Sequence, residues 1–159
     1  MIKISVKNSQ QVEKTIKEAL VKYKDAPAVT VGIHEDAGNH PNANMTNAKL
    51  GATLNYGVPG RIPARPWLIP GYKKGERRYV KDLKNSIEEG LNLPTAMLKV
   101  GALAKDEIQQ FMTDLRRPRN APLTIKHKGF DNPLIDTGVL RSSVDYKLVK
   151  SLPDEGGLS

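Results

Sequence analysis

Residues 94–115, PTAMLKVGALAKDEIQQFMTDL, place Met97, Gly101, Ala104, Ile108, Phe111 and Leu115 at alternating steps of four and three. Such steps return to one side of a helix every turn, so the stretch predicts a long amphipathic helix. Pro94 suits its first turn, where no backbone N–H is needed, and Arg116-Arg117-Pro118 ends it. Upstream, Tyr79, Val80, Leu83, Ile87 and Leu91 mark one face of a second helix between about residues 72 and 91. Its opposite face carries Lys73, Lys74, Arg77, Arg78, Lys81 and Lys84. A join near Asn92 makes the two helices a packed hairpin.

Strand periodicity appears on both sides of this pair. Ile2, Ile4 and Val6 alternate with polar residues, and Val29, Val31 and Ile33 alternate within Ala28–Glu35, predicting two strands in an antiparallel sheet. Between them, Ser9 can cap a helix carrying Val12, Ile16, Ala19, Leu20 and Tyr23. Val144, Tyr146 and Leu148 predict a final strand, preceded by a helical turn capped by Asp136 or Thr137. The expected fold is therefore α+β, a small, mostly antiparallel sheet packed against helices, with a long helical pair and extended loops.

The remaining segments are connections. Residues 36–47, DAGNHPNANMTN, have almost no apolar content and predict a long exposed loop. Residues 48–56 suit a short helix stopped by a left-handed Gly57. In VPGRIPARPWLIPGY, residues 58–72, four prolines predict a rigid extended link. Residues 118–133 read as a second loop, and residues 151–159 as a flexible polar tail to a single domain spanning residues 1–150.

Composition narrows the function. There are no cysteines among the 159 residues, which excludes disulfides and thiolate metal sites and fits folding in a reducing cytoplasm. The first residues lack the apolar run of a signal peptide, and no window is apolar enough for a membrane span, so no membrane partner is expected. The net charge of +8 is concentrated in the Lys73–Lys84 cluster and at Arg116, Arg117 and Arg119. Those clusters either face phosphate or an acidic partner, or are solvated helix faces and ends.

Signatures of catalysis are weak. His34 and His40 are six residues apart, which misses the i, i+4 spacing of a helical zinc pair, and neither a G-x-S-x-G elbow nor a phosphate-binding GK[ST] ending is present. Glu35, Asp36, Asp131 and Asp136 could converge as acid and base or hold magnesium, but Asp136 reads as a cap and Asp131 as part of a turn. No cofactor, metal site or enzymatic activity is expected. Aromatics, at 5%, do not interleave with the basic runs as they would on a base-stacking platform.

Two segments resemble a known family. NAKLGATLNYGVPGRIPARPWLIPGY, residues 47–72, resembles the signature of the tail-completion, or virion-morphogenesis, proteins of tailed bacteriophages, in which an aromatic-Gly helix end precedes an I-P-A-R-P-aromatic-Leu run. NPLIDTGVLRSSVDYKLV, residues 132–149, resembles their C-terminal signature, P-L-x-D-T-G-x-L-R-x-S before the last strand. Trp67 stands where that family often has Phe, and the 36–47 loop is longer than its pattern.

The resemblance implies a structural neck protein assembled in the host cytoplasm. It would form a homo-oligomeric ring, hexameric in related connectors, contacting head-completion or adaptor proteins on one side and tail-tube or tail-terminator proteins on the other. Tyr56, Arg61, Arg65, Trp67, Asp136 and Arg141 are the expected interface residues, although Trp67 also reads as a core residue and Asp136 and Arg141 as local capping groups. The alternative is a basic DNA-binding protein that contacts phosphate through the Lys73–Lys84 helix, for instance genomic DNA in the channel.

Overall fold

A computed structural model describes residues 27–150. The strand expected at residues 2–7, the helix after it and the 151–159 tail lie outside them. The described elements are β1 (Ala28–Gly32), a 3₁₀ turn (Glu35–Ala37), α1 (Asn47–Tyr56), α2 (Leu68–Glu88), α3 (Leu93–Asp114), α4 (Pro122–Lys128), α5 (Val139–Ser142) and β2 (Asp145–Val149). The fold class is α+β: β1 and β2 form an antiparallel pair, with Ala28 opposite Val149 and Gly32 opposite Asp145, and the long α2 and α3 pack together.

Central α3 has the sheet on one side and α2 on the other. Gly101 lets it sit close to the sheet, since a Cβ there would come within 2.7 Å of both Val29 and the Tyr146 ring. On the other side, Gly71 of α2 lies against the Ile108 backbone, 3.1 Å from where a Cβ would be. The Asn92 side chain caps α3 by accepting from the Thr95 N–H at 3.0 Å, and Pro94 stands in the first turn. Gly101, Ala104 and Ile108 of the expected stripe are buried, together with Ala96 and Met112. The core gathers Trp67, Ile108, Met112, Leu134, Leu140 and Val144.

Several expectations need correction. The inward side of α2 is Gly71, Gly75, Tyr79 and Ser86, whereas Val80 and Ile87 face solvent. The reason is that α3 demands small residues at close approach, which a hydrophobicity pattern does not register. α2 also begins at Leu68, four residues before the expected start: Pro70 fits its first turn, and its initial N–H groups find a remote cap. Residues 36–47 form the expected surface loop, but it is pinned by its own contacts and is not polar on the outside alone. Asn39 bridges Thr46, His40 is buried, and buried Asn47 donates to the Ala37 carbonyl at 2.9 Å. Polar residues can line an interior when backbone groups satisfy them.

The expected 118–133 loop contains α4. Gly138 rather than Asp136 occupies the N-cap of α5, where the Thr137 hydroxyl accepts weakly from the Val139 N–H at 3.5 Å. Gly57 takes a positive φ of 75° as expected, but its ψ of 179° is extended, not left-handed helical. A Cβ at this position would strike the Ala64 backbone N at 2.6 Å, so the close approach of two chain segments demands glycine here.

Candidate functional site: a basic-rimmed cleft

The motif I-P-A-R-P-W, residues 62–67, runs back along α1 and is stitched to it. The Arg65 N–H donates to the Leu54 carbonyl at 2.8 Å, and the Trp67 N–H to the Asn55 Oδ1 at 3.0 Å. The Trp67 indole Nε1 donates to the Gly51 carbonyl at 3.0 Å. Asn55 Oδ1 also accepts from the Leu68 N–H at 3.3 Å, so a side chain of α1 caps the start of α2. Gly51 leaves the space: a Cβ there would meet Ile33 at 2.8 Å and the Trp67 ring at 3.3 Å.

Beside this strap opens a cleft of about 610 Å³. One wall is Arg61, Ile62, Pro63 and Arg65, the floor includes Leu50 and Leu54, and the opposite wall comes from residues 119–140. Residues 47–72 and 132–149 therefore meet at one place, with Leu134, Asp136, Thr137 and Gly138 supplied by the second segment.

Arg65 is 6% exposed, and its guanidinium is held by neutral acceptors. Nε donates to the Pro118 carbonyl at 3.1 Å, and Nη2 to the Arg119 carbonyl at 3.1 Å and the Asn120 Oδ1 at 3.5 Å. Burial pulls its pKa below the usual arginine value, opposed by the charge of Asp131. Asp131 itself is engaged elsewhere, accepting from Arg119 Nε at 2.6 Å and from the Asn120 N–H at 3.1 Å. The Arg119 bond first, and then the Asn120 N–H, hold its carboxyl below the ordinary range. Lys128 Nζ donates to the Asn132 carbonyl at 2.9 Å and lies 5.2 Å from the Phe130 ring centre. Burial lowers its pKa, with Asp136 opposing.

The expected interface residues divide accordingly. Arg61, Arg65 and Asp136 line the cleft. Tyr56, 78% exposed, borders a neighbouring hollow with Val58–Ala64. Trp67, 3% exposed, offers no docking surface and is a core residue, because its indole N–H and ring are both satisfied inside the subunit. Arg141 lies outside the cleft, donating to the Thr113 hydroxyl at 3.4 Å. Asn120, whose Nδ2 is buried without a partner among the described residues, was not legible in the sequence as a site residue.

The basic cluster on α2 also splits. Arg78 pairs with Glu107 at 2.9 Å, Lys74 approaches Asp114 at 3.8 Å, and Lys84 approaches Glu88 at 3.7 Å. Lys73, Arg77 and Lys81 form a row with no carboxylate partner among the described residues. Another side of α2 exposes Ile69 at 57%, Val80 at 67% and Ile87, with Tyr72 at its edge and Glu76 between Ile69 and Val80. At about 100° per residue, it lies roughly 120° from the side that faces α3.

The four weighed carboxylates do not form one centre. Asp36 pairs with Lys147 beside His34 and Asp145, in a hollow distinct from the one Asp136 lines, and Asp131 is bound to Arg119. Among the described residues, no group of His, Asp and Glu side chains gathers closely enough to hold a metal ion, and no helix is long and apolar enough to cross a membrane. The fold is a small α+β domain with one basic-rimmed cleft among its surface hollows. Protein-family models, curated proteins and solved structures offer no match to the chain.

Proposed function

We propose that this protein is a structural component of a tailed-phage particle, a neck or tail-completion subunit that works by assembling into a ring. The observation that carries the reading is the apolar stripe of Ile69, Val80 and Ile87, standing in solvent on a helix whose other side is already packed against α3. Covering a large aliphatic side chain contributes about 1.5–3 kcal/mol, so the stripe suits burial by another copy of the subunit. A head-to-tail ring needs two different complementary patches, and the exposed apolar residues of α2 supply one of them. Support for the phage assignment comes from the two sequence signatures, which meet at the cleft.

Sedimentation velocity across a concentration series tests ring formation. The expected result is a species of several subunits that nuclease does not alter and that Val80→Asp converts to a monomer with an unchanged melting curve. A wild-type protein that stays monomeric at the highest concentration would refute assembly through α2. The particle assignment is tested by making particles without the protein: unjoined heads and tails are expected, and normal infectious particles would overturn it.

The row of Lys73, Arg77 and Lys81 favours a second reading, contact with DNA phosphates. Three phosphate contacts would give a log–log salt slope of about −2.7 for duplex DNA, which alanine at all three positions would abolish.

A further inference from the structure

We propose that the cleft between residues 61–65 and 119–140 is a receptor for an acidic peptide segment of a partner protein, with carboxylates set between apolar side chains. The inference stands apart from the ring reading and rests on charges left unbalanced at an apolar site.

Arg65 is the first observation. A guanidinium on a residue this enclosed is ordinarily matched by a carboxylate, because desolvating a charge is costly, and Asp131 acts on it only from beyond ion-pair distance. Among the described residues none lies within ion-pair distance: the acceptors are two carbonyls and an amide oxygen, and Nη1 makes no hydrogen bond there. Its bonds through Nε and Nη2 hold the side chain on the cleft wall and leave Nη1 to donate to an incoming carboxylate with little further loss of freedom.

A second, independent observation is the company it keeps. Lys128 stands on the same cleft, partly buried, bonded to a carbonyl and paired with no carboxylate among the described residues. Arg61 stands exposed on the rim. Arg119 is neutralised by Asp131, leaving Arg61, Arg65 and Lys128 against Asp136 alone.

The floor decides which anion fits. Leu50 and Leu54 on the floor, with Ile62, Leu134 and Leu140 on the walls, make the cleft's lining apolar, and the cleft's volume lies within the roughly 300–1,000 Å³ of ordinary ligand sites. Nucleic-acid phosphates would leave such a floor without a partner. A peptide with Leu beside Asp satisfies floor and rim together, whereas Lys73, Arg77 and Lys81 on α2 have no comparable floor.

The test uses the full chain and two fluorescein-labelled peptides, Gly-Leu-Asp-Leu-Asp-Gly and its Asn counterpart, read by fluorescence anisotropy. The acidic peptide is expected to bind at least about tenfold more tightly, and the combined Arg61→Gln and Lys128→Gln variant to lose about tenfold or more while keeping the wild-type circular-dichroism spectrum at the assay temperature. In the ¹⁵N spectrum the Arg65 Nε–Hε signal should shift with the acidic peptide and not with the Asn one. Equal affinity for the two peptides, no binding, or a variant that binds normally overturns the proposal. An oligonucleotide that displaces the acidic peptide at lower concentration than unlabelled peptide also overturns it, in favour of a nucleic-acid site.

Discussion

Tyr56 and Arg61 flank the start of the proline-rich segment, and Arg65 and Trp67 lie in its middle, yet the first pair stands in solvent and the second is enclosed. All four belong to residue types that dominate protein interfaces. What separates them is the supply of acceptors. Trp67 finds the Gly51 carbonyl for its indole, and Arg65 finds the carbonyls of Pro118 and Arg119, whereas the Tyr56–Arg61 arc turns away from α1 after Gly57. Residue type identifies groups able to bind, and the surrounding backbone determines how many of their donors are already satisfied within the subunit.

Substitution can break this comparison. The largest effect is expected from Trp67→Ala, about 3–5 kcal/mol of lost stability in urea unfolding, because it empties the centre of the core. Tyr56→Ala should stay within about 0.5 kcal/mol of wild type. A similar loss in both variants would mean that the strap is not the structural half of the segment.

Next in size is Gly71→Ala, expected to cost about 1–3 kcal/mol, since the new methyl group meets the Ile108 backbone and must push α2 from α3. Gly60→Ala, in the exposed arc, meets nothing within 4 Å, and only its positive φ of 69° opposes the change. Chemical denaturation of the two variants compares crowding with backbone strain directly.

Asn55→Ala should cost about 1–2 kcal/mol by removing the acceptor for the Trp67 and Leu68 N–H groups. The loss should appear as earlier hydrogen exchange in the first turn of α2, with the outward end of the proline-rich segment unaffected.

The smallest effect is expected at Tyr79. Burial first, and the charge of Glu107 second, push its phenol up to about 12 from 10.0. With the folded value raised, this contribution to stability is fully present below pH 10 and is lost as pH rises through about 12, where the unfolded chain ionises first. Tyr79→Phe should remove that part of the alkaline loss. Near neutral pH it should leave stability unchanged or raise it by up to ~1 kcal/mol, because the buried hydroxyl has no partner among the described residues. Melts at pH 7 and at pH 11 check both signs.

The sequence by itself determined the class α+β, the long helical pair with its join at Asn92, the Gly101–Ala104–Ile108 face of α3 and the strands at Ala28 and Tyr146. Each rests on a local period or cap that covalent geometry imposes on neighbouring residues. It also placed Arg61, Arg65 and Asp136 among residues of interest, without indicating that they share a cleft. Only the tertiary structure decided which face of α2 is buried, that Asn55 caps a helix starting at Leu68, that His40 and Asn47 lie inside, and that Trp67 is core. These outcomes depend on close backbone approach at Gly51 and Gly71 and on acceptors contributed from distant parts of the chain, and a local periodicity carries neither quantity.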